Sequence, residues 1–202
     1  MKKNIYKTTF FILLLSFGCM DISNGQSFQK GQTDLNIGIG LGNPILGPDN
    51  YNTITPLSIS LGYGITNDIS IGIYGGFSGA SYNYYGWDDC GMGHGNGQYF
   101  TDTYKWSYYI LGVQGDYHFG RFIKRDKWDV YAGLLLGNDF AHYTYYTNSV
   151  CPDHIRYDSP MYGGIVCAIH AGARYRITNH VGVFAELGYG IAYLNVGVNF
   201  KF

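Results

Sequence analysis

The sequence predicts an all-β fold: one closed, antiparallel transmembrane β-barrel of about eight strands, preceded by a cleavable signal peptide. Three observations predict it. Almost every segment alternates apolar residues with small or polar ones at period two, and no stretch sustains a 3.6-residue stripe. The alternating runs are about ten residues long, which suits a tilted strand crossing a bilayer, whereas ordinary strands average about five or six. Charged residues make up only 13% of the 202-residue chain, against 18% aromatics, with 21 Tyr and 30 Gly. A soluble surface would need more charge than that.

The chain opens with Lys2, Lys3 and Lys7, an apolar run from Phe10 through Leu15 to Phe17, and then the small, polar Ser23-Asn24-Gly25. This order is that of a secretory signal, and cleavage is expected near Gly25, giving residues 1–25 as signal and 26–202 as barrel. The apolar run is roughly half the length of a spanning helix. Cys19, preceded by Gly18, offers an alternative as a lipid acceptor, although Leu15 stands one position too far upstream for the usual pattern. No other stretch is apolar enough for a membrane helix, and no linker divides the remainder. A net charge of −1 gives no basic field, so no nucleic-acid partner is expected.

Taken in order, the first strand runs near Asp34–Leu41, with Leu35, Ile37, Ile39 and Leu41 on one face and Asp34, Asn36, Gly38 and Gly40 on the other. The second sets Leu57, Ile59, Leu61 and Tyr63 against Ser58, Ser60, Gly62 and Gly64. Thr66-Asn67-Asp68 reads as a tight turn. The third strand sets Ile69, Ile71, Ile73 and Phe77 against Ser70, Gly72, Tyr74 and Gly76, and a long polar segment is expected from Ser78 to about Thr103. Strand four carries Tyr109, Leu111, Val113, Tyr117 and Phe119 opposite Gly112, Gln114, Asp116 and His118. A charged link, Arg121 to Lys127, leads to Trp128, Val130, Ala132, Leu134 and Leu136, opposed by Asp129, Tyr131, Gly133 and Gly137. After a second expected loop, His142 to Tyr162, strand six sets Ile165, Cys167, Ile169, Ala171, Ala173 and Tyr175 against Ala168, His170, Gly172, Arg174 and Arg176. Thr178-Asn179-His180 turns the chain into Val181, Val183, Ala185 and Leu187, opposed by Gly182, Phe184, Glu186 and Gly188. A short link near Gly190–Tyr193 precedes the last strand, where Leu194, Val196, Val198, Phe200 and Phe202 oppose Asn195, Gly197, Asn199 and Lys201.

Alternation alone also fits a soluble barrel with its apolar face inside. That arrangement would leave a surface of Gly, Ser and Asn with little charge. With the apolar face outward, small residues and paired charges fill a lumen that eight strands make barely wide enough for side chains. The aromatics support this orientation. Tyr63, Tyr117, Phe119, Trp128, Tyr175, Phe200 and Phe202 fall at the turn-side ends of the apolar face, and Phe77, Tyr109, Phe140 and Tyr189 at the loop-side ends, as two interfacial girdles would.

Over nearly everything after Gln26, this pattern resembles the small outer-membrane barrels of the OmpA/OmpX type. The closing run Val196-Gly197-Val198-Asn199-Phe200-Lys201-Phe202 looks like that family's terminal assembly signal, with Phe200 and Phe202 its aromatic positions. The resemblance implies residence in the bacterial outer membrane, with its lipids and its assembly machinery as partners. No periplasmic peptidoglycan-binding domain is expected, the sequence closing at Phe202.

Asp34, Asp116, His118, Asp129, His170, Arg174, Arg176, Glu186 and Lys201 all map to the lumen face, where a network of ion pairs is expected because unpaired charge there would be costly. The alternative use of these charges is a gated path for ions. Cys90 and Cys151 lie in the two long segments on the extracellular side, where a disulfide is the natural expectation for an exported chain. Cys90 with His94 and Cys151 with His154 would alternatively offer four zinc-type ligands, and free thiols are the third possibility. Cys167 reads as a small apolar residue on the lipid face. His142-Tyr143-Thr144 is the nearest fragment to a hydrolase site, and it lacks a Ser. Gly91-Met92-Gly93-His94-Gly95-Asn96-Gly97 has neither the Lys nor the strand-to-helix context of a phosphate loop.

The expected function is a surface-exposed structural or binding barrel without cofactor or enzymatic activity. Its loops, rich in Tyr82, Tyr84, Tyr85, Trp87, Tyr143, Tyr145 and Tyr146, would meet an extracellular ligand of unknown identity or, as readily, lipid headgroups. A narrow channel is the second reading and a lipid-modifying enzyme the third. A Cys90–Cys151 bridge predicts that unboiled protein on a detergent gel shifts when reductant is added; unchanged mobility would remove the bridge.

Overall fold

The computed structural model describes residues 28–42, 52–88, 98–123, 126–148 and 162–202. Cys19, Cys90, His94, Cys151 and His154 lie outside them, as do the signal segment and the glycine string 91–97. Eight strands, β1 (Thr33–Leu41), β2 (Asn52–Gly64), β3 (Ile69–Asp88), β4 (Gln98–His118), β5 (Trp128–Thr147), β6 (Tyr162–Arg176), β7 (Val181–Gly188) and β8 (Leu194–Lys201), pair with their sequence neighbours. The ring closes through an antiparallel β1–β8 seam running from Asp34↔Lys201 to Leu41↔Leu194. In hydrocarbon every backbone N–H and C=O must find a partner within the protein, and closure is how strands meet that requirement.

The outward face is the apolar one. Ile37, Ile39, Leu57, Ile59, Leu61, Ile71, Ile73, Leu111, Val113, Leu134, Leu136, Ile169 and Leu187 are all exposed as a continuous belt, and such a belt is stable only against lipid. Paired aromatics rim it at both edges. Trp128 packs on Tyr175 with ring centroids 5.0 Å apart and Tyr117 on Phe119 at 5.1 Å on the turn side, while Phe77 meets Tyr109 at 5.1 Å towards the loops.

The two tight turns share one device. The Thr66 hydroxyl accepts the Ile69 N–H at 2.9 Å, and the Thr178 hydroxyl accepts the Val181 N–H at 3.0 Å, so each Thr-Asn-x sequence holds its own reversal.

Three expectations are corrected. Ser78–Thr103 and His142–Tyr162 were expected as loops, yet β3 and β4 continue to Asp88 and from Gln98, and β5 runs to Thr147. Cross-strand pairs such as Tyr82↔Tyr104, Trp87↔Tyr99 and Trp106↔Tyr143 supply the reason: aromatic ladders stabilise a hairpin whatever its polarity. Phe119, expected at the end of strand four, instead begins a 3-10 turn, Phe119–Arg121, which opens the charged link. The short link between β7 and β8 drops Ile191 and Ala192 into the lumen, where both are buried against Tyr74, Ile110, Leu135 and Ala168.

The wall is tight in places. Gly112 and Gly137 face one another across β4 and β5, and a Cβ on Gly137 would lie 2.6 Å from the Gly112 Cα. At Gly62 the nearest atom to a Cβ would be 4.0 Å away. Gly137→Ala is therefore expected to destabilise the barrel by about 1–3 kcal/mol, with Gly62→Ala within about 0.5 kcal/mol of the parent, both read from urea midpoints in detergent micelles.

Candidate functional site

Two regions concentrate polar chemistry: the turn-side half of the lumen and the aromatic face of the extended β3–β4–β5 sheet.

The lumen is filled in layers because inward residues two apart on each strand stack along the axis. Nearest the turns, Arg174 on β6 donates from Nη1 to Asp129 Oδ2 on β5 at 3.0 Å and stands 3.8 Å from Asp34 Oδ2 on β1. Arg176 approaches Asp34 Oδ1 at 3.7 Å. Asn199 of β8 donates to Asp34 at 3.2 Å and to Asn36 at 2.9 Å, tying the closing seam into the network. One step inward, His170 Nε2 lies 2.6 Å from Asp116 Oδ1, which the Gln114 amide also reaches. Tyr131, wholly buried, donates its hydroxyl to Glu186 at 3.0 Å while its ring lies 4.2 Å under the Arg174 guanidinium. Lys201 faces Asp34 in register but sits half-buried at the rim and makes no ion pair among the described residues.

One part of this layer has the form of a hydrolytic triad. The Ser70 hydroxyl is 3.0 Å from His118 Nε2, and His118 Nδ1 is 2.8 Å from Asp129 Oδ1. A carboxylate accepting at Nδ1 sets the tautomer whose Nε2 accepts from Ser70. The nucleophile is nevertheless shut in. Ser70 is 4% exposed and His118 wholly buried, and the Phe28 ring stacks on the imidazole with centroids 3.5 Å apart and planes 4° from parallel. Asp129 is shared with Arg174, which makes it one member of a charge layer. Phe28 and Gln32, which precede β1, were absent from the sequence reading. Their signal was slight: a lone Phe ahead of Gly31, which takes φ 82° as the segment turns into the barrel mouth.

Above the charge layer comes the apolar plug of Tyr74, Ile110, Leu135, Ala168, Ile191 and Ala192. The space left between plug and network, beside His170, Glu186 and Gly190, has a volume of about 20 Å³, room for about one water.

The second region begins where β2 and β6 stop pairing, at Asn52↔Ser81 and Ala141↔Tyr162. Beyond these rows, among the described residues, β3, β4 and β5 pair with one another, up to Asp88↔Gln98 and Asp102↔Thr147. The alternation of the lumen face continues upward, so Tyr82, Tyr84, Tyr104, Trp106, Tyr143 and Tyr145 share one side. Tyr104 stacks near Trp106 at 6.2 Å and Tyr145 at 5.1 Å, and Trp106 lies 5.5 Å from Tyr143. Five of these rings line an open cleft of about 570 Å³. Asp102, which falls in a segment expected as loop, sits among them 6% exposed. Burial among neighbouring groups and then the charge of Asp102 push the Tyr104 phenol up; Tyr143 rises from burial, Tyr104 and Asp102 in turn, and Tyr145 from burial and its hydrogen bond to Asp102. The opposite side presents Tyr85, Trp87 and Tyr99, all well exposed, and Lys105, whose ammonium lies 5.4 Å from the Tyr146 ring.

His142 lies on the outward face, its Nε2 3.1 Å from the Thr144 hydroxyl. Ser107 stands opposite it across the β4–β5 ladder, a neighbour the sequence could not supply. Cys167 is a free, exposed thiol on the outward face of β6.

No protein-family model matches the chain, and no curated protein matches it in sequence. Solved structures do. The attachment invasion locus protein Ail of Yersinia pestis, crystallised with the heparin analogue sucrose octasulfate, is similar at 14% identity over 86% of this chain and 100% of its own, with a TM-score of 0.47. The chain itself closes eight antiparallel strands into a barrel with its apolar residues outward. The N-terminal β-barrel domain of Pseudomonas aeruginosa OprF matches at 18% identity over 86% of this chain and 98% of that one, TM-score 0.43. A de novo designed transmembrane β-barrel matches at 12% identity over 88% and 100%, TM-score 0.48. Identities this low speak to the fold alone.

Truncating Arg174 would remove the guanidinium that bonds Asp129, leaving it His118, and one of the two arginines beside Asp34. Arg174→Leu is expected to cost about 3–5 kcal/mol, and the double change Arg174→Leu/Asp129→Leu less than that single one. Urea unfolding of both variants measures the difference.

Proposed function

We propose that this chain is a surface protein of the bacterial outer membrane, in which a sealed barrel acts as a pedestal for an aromatic recognition face. The observation that carries the reading is the contrast between the lumen and the rim. Phe28, the ion-pair layer and the Ile191–Ala192 plug occupy the lumen in succession, while β3, β4 and β5 rise well past the apolar belt and hold their tyrosines on a rigid sheet. Tyr and Trp offer large contact area at small entropic cost, and a paired sheet orders them before any ligand arrives. The apolar belt with its aromatic rims supports the membrane location.

A channel would need a continuous wet path, and the lumen is occupied in succession by Phe28, the buried charge layer and the Ile191–Ala192 plug. An acyl-transferring or hydrolytic role would need Ser70 or His142 to reach lipid. Phe28 covers the first site, and at the second the His142 Nε2 is engaged with the Thr144 hydroxyl.

Four measurements test this reading. With the native cysteines replaced by Ser, Tyr99→Cys should react with a membrane-impermeant maleimide on intact cells, and Thr66→Cys only after lysis; the reverse pattern would overturn the orientation. The purified barrel in planar bilayers should show no stable conductance, and steady single-channel steps would favour the channel. A fluorophosphonate probe should leave the folded barrel unlabelled, and His142→Ala should leave membrane lipid composition unchanged.

A further inference from the structure

We propose that the lumen-side face of the β3–β4–β5 extension binds a small organic cation bearing N–H donors, a guanidinium or primary ammonium group, between its tyrosine wall and the carboxylate of Asp102. This deepens the surface-recognition reading and rests on it.

The wall has the right chemistry for a cation. Tyr82, Tyr84, Tyr104, Trp106 and Tyr143 line an open, shallow cleft of about 570 Å³, and Asp102 pairs with Tyr84 in register beside it. Aromatic faces carry negative potential, and a cation within about 6 Å of the ring centroid is attracted, most strongly where water is displaced. Among the described residues no Lys, Arg or His shares this face. The sheet already makes one such contact on its other side, between Lys105 and Tyr146 at 5.4 Å.

Asp102 adds the demand for a donor. It is more than nine-tenths buried, yet its Oδ1 has no hydrogen-bond partner. Burying a carboxylate oxygen without a donor is costly, and a protein retains such an atom most readily where a ligand completes it. The Tyr145 hydroxyl hydrogen-bonds to the carboxylate, and Oδ1 remains unserved. A quaternary ammonium could use the rings but would have no hydrogen to give. A guanidinium or primary ammonium satisfies ring and carboxylate together, and its charge compensates that of Asp102. A neutral sugar could stack on the wall and donate a hydroxyl, but it would leave the charge uncompensated.

The test is isothermal titration calorimetry of the full barrel in phospholipid nanodiscs against agmatine, tetramethylammonium and maltotriose. Agmatine is expected to bind, more tightly than tetramethylammonium, and maltotriose not to bind detectably. Asp102→Asn, nearly isosteric, should weaken agmatine about tenfold or more, and Tyr104→Ala should weaken it comparably. Tyr85→Ala, on the opposite face, should leave it unchanged. Each variant is first checked for the boiling-dependent gel shift of a folded barrel. No agmatine binding at millimolar concentration, equal affinity in Asp102→Asn, or maltotriose binding as tightly as agmatine would each overturn the proposal. Surface labelling at Tyr99→Cys separates the two levels: retained labelling with failed binding sinks the cation site alone, whereas lost labelling sinks the surface reading beneath it.

Discussion

Closure of the ring is the constraint on which the rest of the molecule depends. Once β1 pairs with β8, no backbone edge faces hydrocarbon, and eight strands enclose a lumen so narrow that each inward side chain meets those of its neighbours and those across the axis. A charge in that space has no water to retreat to. Asp34 must therefore find Arg174, Arg176 and Asn199, Asp129 must find His118 and Arg174, and Asp116 must find His170 and Gln114. The same crowding explains why glycine faces glycine at Gly112 and Gly137, where the two walls leave no room for a Cβ.

The narrow lumen also shapes what the triad-like Ser70–His118–Asp129 arrangement can be. Hydrogen-bond saturation in a closed cylinder brings serine, histidine and aspartate together for the same geometric reasons that catalysis does, so the arrangement by itself does not distinguish the two. Access does. Phe28 lying flat on His118 turns a set of residues capable of proton transfer into a covered layer. At the other end Ile191 and Ala192 fill the space beside Gly76 and Gly40, so chemistry offered to the outside has to come from the rim.

Among the described residues three of the eight strands, β3, β4 and β5, continue past the last pairs made with β2 and β6 and form one antiparallel sheet. Its two faces keep the alternation of the barrel beneath, which separates the Asp102 side from the Lys105 side. An acid and a base three residues apart thus act on opposite surfaces.

Much of this was legible in the amino-acid order. Period-two alternation assigns each residue to a face without knowledge of register, so the lipid belt from Ile37 to Val198 and the lumenal set from Asp34 to Glu186 follow from local pattern, and strand length and low charge separate lipid from water as the surrounding medium. What alternation lacks is the partner. That Asp129 meets His118 and Arg174, or that Ser107 stands opposite His142, depends on pairing register between segments distant in sequence. The tyrosine-rich stretches read as loops because their composition is polar, and only cross-strand aromatic pairing makes them strands. The inward fold of Phe28 and of Ile191–Ala192 has no periodic signature at all: these short segments lie outside regular strands, and the space they fill exists only once the ring has closed.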